Sequence, residues 1–457
     1  MTCPSLSPSR SRSRSPRIRG ILALLACTAL WLLGGVLTAS SAQAHAELVA
    51  SSPADGTRLD AVPQHVTLTF SEAIALGQCA VQAGAKALPI REPAGQPDVL
   101  IADLTGLEAQ SDQLVLTWRS VSADDGHVTI GSLHFPIAAG PDATASTGTA
   151  PTLAGPDHTV KDFLVTAQFL GFAGTAVFVG GLAFLAMIWP DGGEDRRTRV
   201  LLTAAWAIGL LSALADIPLQ AGFSALRPLG GVFDSSALKS LLGTHLGNVL
   251  VARTLLWVPA GVVLAMDLQQ ASRAARSPAW RIGLVAVGFG LLRTTSMPGH
   301  DDAAHPLAGA IADTAHLAGA SLWIGGLVVL LVGVLPRRRP DELAFVVARY
   351  SNLALASVAA IVIAGAVLAW QLVGSVHALT HTSFGHLLLI KLGLVGAVML
   401  LAQHSKAWVR HRLDIAVLLD GDRATVRPFL YSVAAETGLA LAILAAASVL
   451  VTSSPGR

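Results

Sequence analysis

The chain changes its hydrophobic rhythm partway along. Between residues 45 and 138, apolar and polar positions alternate in short runs, as in Val66-Thr67-Leu68-Thr69-Phe70, Leu114-Val115-Leu116-Thr117-Trp118 and Ser132-Leu133-His134-Phe135. Gly and Pro punctuate the gaps, so this region predicts short antiparallel strands packed as a small all-β, Ig-like or cupredoxin-like sandwich. From Phe163 onward the alternation gives way to apolar runs near 163–188, 200–222, 246–266, 280–298, 309–335, 345–373, 386–408 and 428–452. A helix needs about twenty apolar residues to cross a bilayer. The second region therefore predicts an all-α polytopic membrane domain of about eight transmembrane helices.

The ends and joints follow from the same pattern. Arg10, Arg12, Arg14, Arg17 and Arg19 precede an apolar run from Ile21 to Leu37, and small residues then end in Ala42-Gln43-Ala44. This is the layout of a secretory signal peptide cleaved before His45. An uncleaved signal anchor fits the same run and denies His45 a free amine. A lipoprotein site at Cys27 fits less well, because the apolar run continues past it. Residues 139–160 are rich in Pro, Gly, Thr and Ala without periodicity, the composition of a flexible linker. The expected organisation is a signal peptide at 1–44, the sandwich at 45–138, the linker at 139–160 and the membrane domain at 161–457.

Composition agrees with a membrane protein. The 457 residues are 53% apolar and 13% charged, with mean hydropathy +0.60, against about 25% charged in soluble domains. The net charge of +2 does not point to nucleic acid, because the basic residues are sorted by membrane side. Arg196, Arg197, Arg199, Arg273, Arg276, Arg281, Arg337, Arg338, Arg339, Arg349, Lys406, Arg410, Arg412, Arg423 and Arg427 share one set of loops, and only Arg227 and Lys239 fall in the other. The positive-inside rule then places both ends of the membrane domain outside. Of Cys3, Cys27 and Cys79, only Cys79 outlasts leader removal, so the mature chain has no internal disulfide and no CxxC metal motif.

Candidate chemistry begins at His45. As the first residue it offers a metal both its α-amine and its ring Nδ1. Asp125-Gly126-His127 adds a carboxylate and a second imidazole, and a mixed nitrogen and oxygen shell suits Cu(II). The candidate metal ligands are thus His45, Asp125 and His127, with Asp124 an adjacent alternative to Asp125. His65 and His134 read as surface or edge residues. His158, His245, His300, His305, His377, His381 and His386 fall on or near the outer face, a distribution that suits collection of metal there.

Within the spans lie Asp216, Arg253, Arg293, Asp313, Lys391 and Glu436. Each costs about 2.5–3.5 kcal/mol at mid-membrane, so they are expected to pair or to line an aqueous, outward-open cavity. Helix-locking ion pairs are the simpler role for the Arg and Lys residues. Asp313 and His316, at i and i+3, share one helix face. The transport-pathway candidates are His300, Asp313, His316, His386, Asp216 and Glu436.

The membrane region also repeats itself. Phe178-Val-Gly-Gly-Leu182 resembles Trp323-Ile-Gly-Gly-Leu327, and Thr244-His-Leu-Gly-Asn248 leading to Arg253 resembles Thr382-Ser-Phe-Gly-His386 leading to Lys391. A four-plus-four parallel repeat about an axis along the membrane normal is expected, with a site between the halves. Gln168 and Gly171 stand where the second copy has Asp313 and His316, so any metal site is asymmetric.

Two stretches carry a family resemblance. His45-Ala-Glu-Leu-Val-Ala-Ser-Ser-Pro-Ala-Asp-Gly-Thr, Val66-Thr-Leu-Thr-Phe-Ser-Glu and Ser122-Ala-Asp-Asp-Gly-His127 resemble the CopC family of periplasmic copper-binding domains. The resemblance implies that His45, Asp125 and His127 hold Cu(II). Residues 45–138 contain no methionine, so the Met-rich Cu(I) site of some members has no counterpart. Pro298-Gly-His300, Asp313-Thr-Ala-His316, Leu322-Trp-Ile-Gly-Gly-Leu327, Arg349-Tyr-Ser-Asn-Leu-Ala-Leu355, Phe384-Gly-His-Leu-Leu-Leu-Ile-Lys391 and Glu436-Thr-Gly resemble the CopD family of copper-resistance membrane proteins.

That resemblance implies a bacterial inner-membrane protein, not an enzyme, that moves copper inward. Its partners are the copper ion, the bilayer, periplasmic copper-resistance proteins and a cytoplasmic copper acceptor, with no nucleic acid. No nucleotide-binding motif is present, so transport is expected to be passive or ion-coupled. Periplasmic sequestration without transport, and a copper- or haem-dependent redox enzyme, are the alternatives.

Overall fold

A computed structural model describes residues 46, 48–107, 113–123, 126, 128–137, 158–296, 306–337, 340–373 and 423–451, with isolated helical positions at 389, 392, 393 and 396. Its first part is a two-sheet sandwich. The strands are β1 (Leu48–Ser52), β2 (His65–Phe70), β3 (Ala80–Ala83), β4 (Lys86–Leu88), β5 (Ile90–Arg91), β6 (Val99–Asp103), β7 (Gln113–Val121) and β8 (Val128–Pro136). One antiparallel sheet runs β1-β2-β6-β5 and the other β4-β3-β7-β8. Alternation puts Val66, Leu68 and Phe70 of β2 inward, against Leu116, Trp118, Leu133 and Phe135 of the facing sheet. Phe70 meets Trp118 edge-on at 5.5 Å. The longest pairing, β7 with β8, keeps register from Gln113↔Pro136 to Val121↔Val128. The segment joining them is therefore delivered to one end of the sandwich.

The second part is helical: α1 (His158–Met187), α2 (Arg196–Ser224), α3 (Ser235–Leu242), α4 (His245–Gln270), α5 (Pro278–Ser296), α6 (Pro306–Val329), α7 (Pro340–Val373) and α8 (Arg423–Val451). A π turn, Leu330–Val334, and a 3-10 turn, Leu335–Arg337, prolong α6. Among the described residues, five helices are long and apolar enough to cross a membrane: α1, α2, α4, α6 with its extension, and α7. This is fewer than the eight spans expected. In α8 the apolar stretch among the described residues is Val433–Ala445, α5 carries Arg281 and Arg293, which lower its hydropathy, and most of 386–408 lies outside the described residues. Helix α1 begins at His158, inside the stretch expected to be linker; residues 139–157 lie outside the described ones.

Burial of apolar side chains cannot drive helices together in lipid, so close approach matters more. Gly180 packs on the Ser321 carbonyl and Gly325 on Ala176 and Gly180, while Gly209 leaves room for the buried Trp257 ring. At the end remote from the sandwich, arginines satisfy carbonyls near helix C-termini, where a cation complements the helix dipole. Arg199 donates to the Leu268 carbonyl at 2.6 Å, and Arg281 to the Ala186 carbonyl at 2.7 Å.

The sandwich is seated on the bundle. Gln78 Nε2 donates to Ser240 Oγ of α3 at 3.1 Å, and Ser224 Oγ at the end of α2 donates to the Gly126 carbonyl at 3.2 Å. Val128 joins an apolar cluster with Val160, Leu164, Leu219, Phe223 and Val232.

Candidate metal site and membrane path

Two chain segments bring the candidate ligands' neighbours to one end of the sandwich. Ala46, which follows His45, is fully buried, and its carbonyl accepts from Ser120 Oγ at 2.8 Å. Ser120 lies near the end of β7, two residues before Ser122. Ala123 N then donates to the Ala73 carbonyl at 3.0 Å, and Gly126 N to the Ser122 carbonyl at 3.1 Å. Gly126 has φ +71°, a left-handed conformation that glycine adopts without cost. His45, Asp124, Asp125 and His127 themselves lie outside the described residues.

A carboxylate passed over in the sequence stands nearby. Glu72 is 7% exposed just past β2 and next to Ala73, whose carbonyl holds Ala123. Its signal was a charged residue in the apolar run Phe70-Ser-Glu-Ala-Ile74. The single cysteine of the sandwich has no such place: Cys79 is buried, its thiol approaches the Ala75 carbonyl at 3.4 Å, and burial pushes its pKa up to about 11. A neutral, buried thiol is a poor copper ligand. His65 is exposed and His134 half-buried; His65 Nδ1 lies 3.6 Å from Asp103.

In the bundle, Asp216 does not line an open cavity. It is 4% exposed and its Oδ2 accepts from Arg253 of α4 at 2.6 Å. Arg293 is likewise buried, its Nη1 donating to Ser296 Oγ at 3.0 Å. Of the two arrangements expected, pairing or an aqueous cavity, these residues show pairing with protein groups, the less costly arrangement in a low-dielectric interior. Asp313 and His316 are half-buried on α6. His316 Nδ1 lies 3.0 Å from the Ile361 carbonyl of α7. A carbonyl only accepts, so Nδ1 carries the proton; in the neutral ring the lone pair is then on Nε2, the tautomer found in metal-ligating histidines. Gly365 admits the ring, since a Cβ there would come within 3.2 Å of it. Glu436 of α8 is buried, and the Tyr350 hydroxyl of α7 donates to the Trp323 carbonyl at 2.6 Å. His300, His305, His377, His381, His386 and Lys391 lie outside the described residues. Among the described residues, no three His, Cys, Asp or Glu side chains form a metal-holding group.

Comparisons with known proteins agree along the chain. Residues 48–138 match the CopC domain, 159–310 the copper resistance protein D-like N-terminal domain, and 344–450 copper resistance protein D. The copper transport protein CutJ of Bacillus subtilis is 27% identical over 376 residues, 77% of this chain and 65% of CutJ, so the chain spans about two thirds of that relative's length. Copper resistance protein D of Pseudomonas syringae pv. tomato is 27% identical over 295 residues, covering 60% of this chain and 91% of that protein. A crystal structure of CopC from Methylosinus trichosporium OB3b, 24% identical, covers 20% of this chain and 93% of that one with a TM-score of 0.19. A β-sandwich matching CopC, followed along the chain by helices matching both parts of copper resistance protein D, makes this multi-pass membrane protein a member of the CopC–CopD fusion family.

Proposed function

We propose that this chain captures Cu(II) on the outer side of the bacterial cytoplasmic membrane and imports copper through its helix bundle, contributing to copper homeostasis and resistance. In this reading the leader is removed after Ala44, and His45 supplies its amine and ring nitrogen. Asp125 supplies a carboxylate oxygen and His127 a ring nitrogen. Copper then passes by Asp216, Asp313, His316 and Glu436, with His300 and His386 at the outer mouth. The relatives named for copper transport and copper resistance support the general role.

The observation that carries the reading is the seating of Gly126. The residue between Asp125 and His127 in sequence accepts a hydrogen bond from Ser224 at the end of α2, which supports a reading in which capture and passage adjoin. Fusion keeps donor and acceptor at a high effective concentration. Periplasmic copper-resistance proteins supply the metal and a cytoplasmic acceptor receives it.

The capture half is tested by titrating the purified protein, matured after Ala44, with Cu(II) and recording its electron paramagnetic resonance. A tetragonal spectrum with nitrogen hyperfine structure is expected, lost in His127→Ala and altered when one residue is added ahead of His45. An unchanged spectrum in both variants contradicts the ligand set.

A further inference from the structure

Four polar residues recur at intervals of four along α2: Ser212, Asp216, Gln220 and Ser224. That spacing places them on one helix face, and all are buried, at 5%, 4%, 8% and 1% exposure. A polar stripe inside a bundle of apolar helices is costly unless it is used. Its upper end touches the sandwich. Ser224 Oγ donates to the Gly126 carbonyl, and Gln220 Nε2 donates to Ser224 Oγ at 3.3 Å. A side chain at position 126 would stand 2.8 Å from Gln220 Nε2 and 2.9 Å from Leu246 of α4. The glycine between Asp125 and His127 is thus plugged into a socket made by α2 and α4.

Roughly 12 Å further down, at 1.5 Å per residue, the stripe reaches Asp216. One carboxylate oxygen is held by Arg253, while the other, Oδ1, is buried without a hydrogen-bond partner. A buried acceptor left unmatched calls for an explanation, an ion or water being the usual one. A second such oxygen, Oε1 of Gln168 on α1, is also buried without a partner. It lies one turn from Gly171, which packs on Ser212.

We propose that this stripe is the entry route for the cation released at the Gly126 turn, with Asp216 Oδ1 as its first station in the membrane. The inference rests on the import reading above and adds to it where the copper enters and in what form. Donors on the stripe are carboxylate, amide and hydroxyl oxygens, with no sulfur, so it takes Cu(II) rather than Cu(I). Arg253 acts as a gate: an arriving cation competes with the guanidinium for the carboxylate, and the ion pair closes again once the cation has left. No electron is transferred at this step.

The test uses the full chain in cells lacking their own copper importers, together with Cu(II) titration of the same purified proteins. Asp216→Asn and Gln220→Leu are expected to keep the tetragonal, nitrogen-coupled Cu(II) spectrum of the sandwich, whose proposed ligands are unchanged, while copper accumulation falls roughly tenfold or more, as for loss of a metal-site partner. The double variant Asp216→Asn/Arg253→Gln removes both charges and keeps a hydrogen-bonding pair. A helix-locking role predicts full accumulation in it, whereas an entry route predicts loss with a normal melting midpoint. Accumulation at the wild-type level in Gln220→Leu or in the double variant overturns the route and leaves the import reading standing. A wild-type chain that accumulates no more copper than the empty vector overturns both.

Discussion

Gly180 of α1 and Gly325 of α6 meet backbone to backbone. A Cβ on Gly325 would stand 2.7 Å from the Gly180 Cα, and one on Gly180 would overlap the Ser321 carbonyl. These are the corresponding glycines of the two Gly-Gly motifs, so the two stretches whose sequences resemble each other pack face to face. The second glycines also behave alike: Gly181 makes room for Leu202 on α2, and Gly326 for Tyr350 on α7. Gly325→Val is therefore expected to lower the melting midpoint in detergent, by overpacking worth about 1–3 kcal/mol or more. An unchanged midpoint contradicts the contact.

The seated sandwich makes a prediction about motion. Gln78 and Ser240 are within hydrogen-bond reach across the domain boundary. A chain carrying Gln78→Cys and Ser240→Cys, bridged by a short bis-maleimide, is expected to import copper at close to the unbridged rate. Loss of import on bridging, restored by a cleavable linker, means that the sandwich must leave its seat to deliver.

Cys79 gives a pH prediction. Burial raises its pKa from 9.0 to about 11 in the folded protein. The thiol therefore stays protonated when folded at pH values where an unfolded chain ionises. Its contribution to stability is complete below about pH 9 and is lost as the pH rises toward about 11. The native protein should resist alkylation at pH 8.5 and react once denaturant is added. Rapid alkylation of the native protein at that pH contradicts the burial.

His316 separates packing from chemistry. His316→Gln can still donate to the Ile361 carbonyl but offers no imidazole lone pair. Its melting midpoint is expected to stay close to wild type while copper accumulation falls on the order of tenfold or more. Accumulation equal to wild type removes His316 from the path.

Much of the architecture was legible because two periods do different work. Alternation at Val66, Leu68 and Phe70 marked the inward face of β2, and apolar runs marked α1, α2, α4, α6 and α7 within a few residues of their observed bounds. The seating of the sandwich was not legible. It depends on Gly126, Ser224 and Gln78, small or neutral residues whose partners lie about one hundred to one hundred and sixty positions away. A linker's composition says nothing about whether the domains it joins touch. The ion pair of Asp216 with Arg253 was foreseeable as a class but not as a pairing, since many acid–base combinations satisfy the same cost. The four-residue spacing of Ser212, Asp216, Gln220 and Ser224 was present in the sequence and is recognisable only when hydroxyl and amide residues are counted along with the charges.

The central claim is import fed by the sandwich. The most direct measurement is cell-associated copper, separated into cytoplasmic and periplasmic fractions, in a strain without its own copper importers. The intact chain should be compared with one lacking residues 45–138 at low and high external copper. Import fed by the sandwich gives higher cytoplasmic copper with the intact chain, and a loss on deletion that is greater at low copper than at high. Copper retained in the periplasm with no cytoplasmic gain, or equal loss at both concentrations, contradicts it.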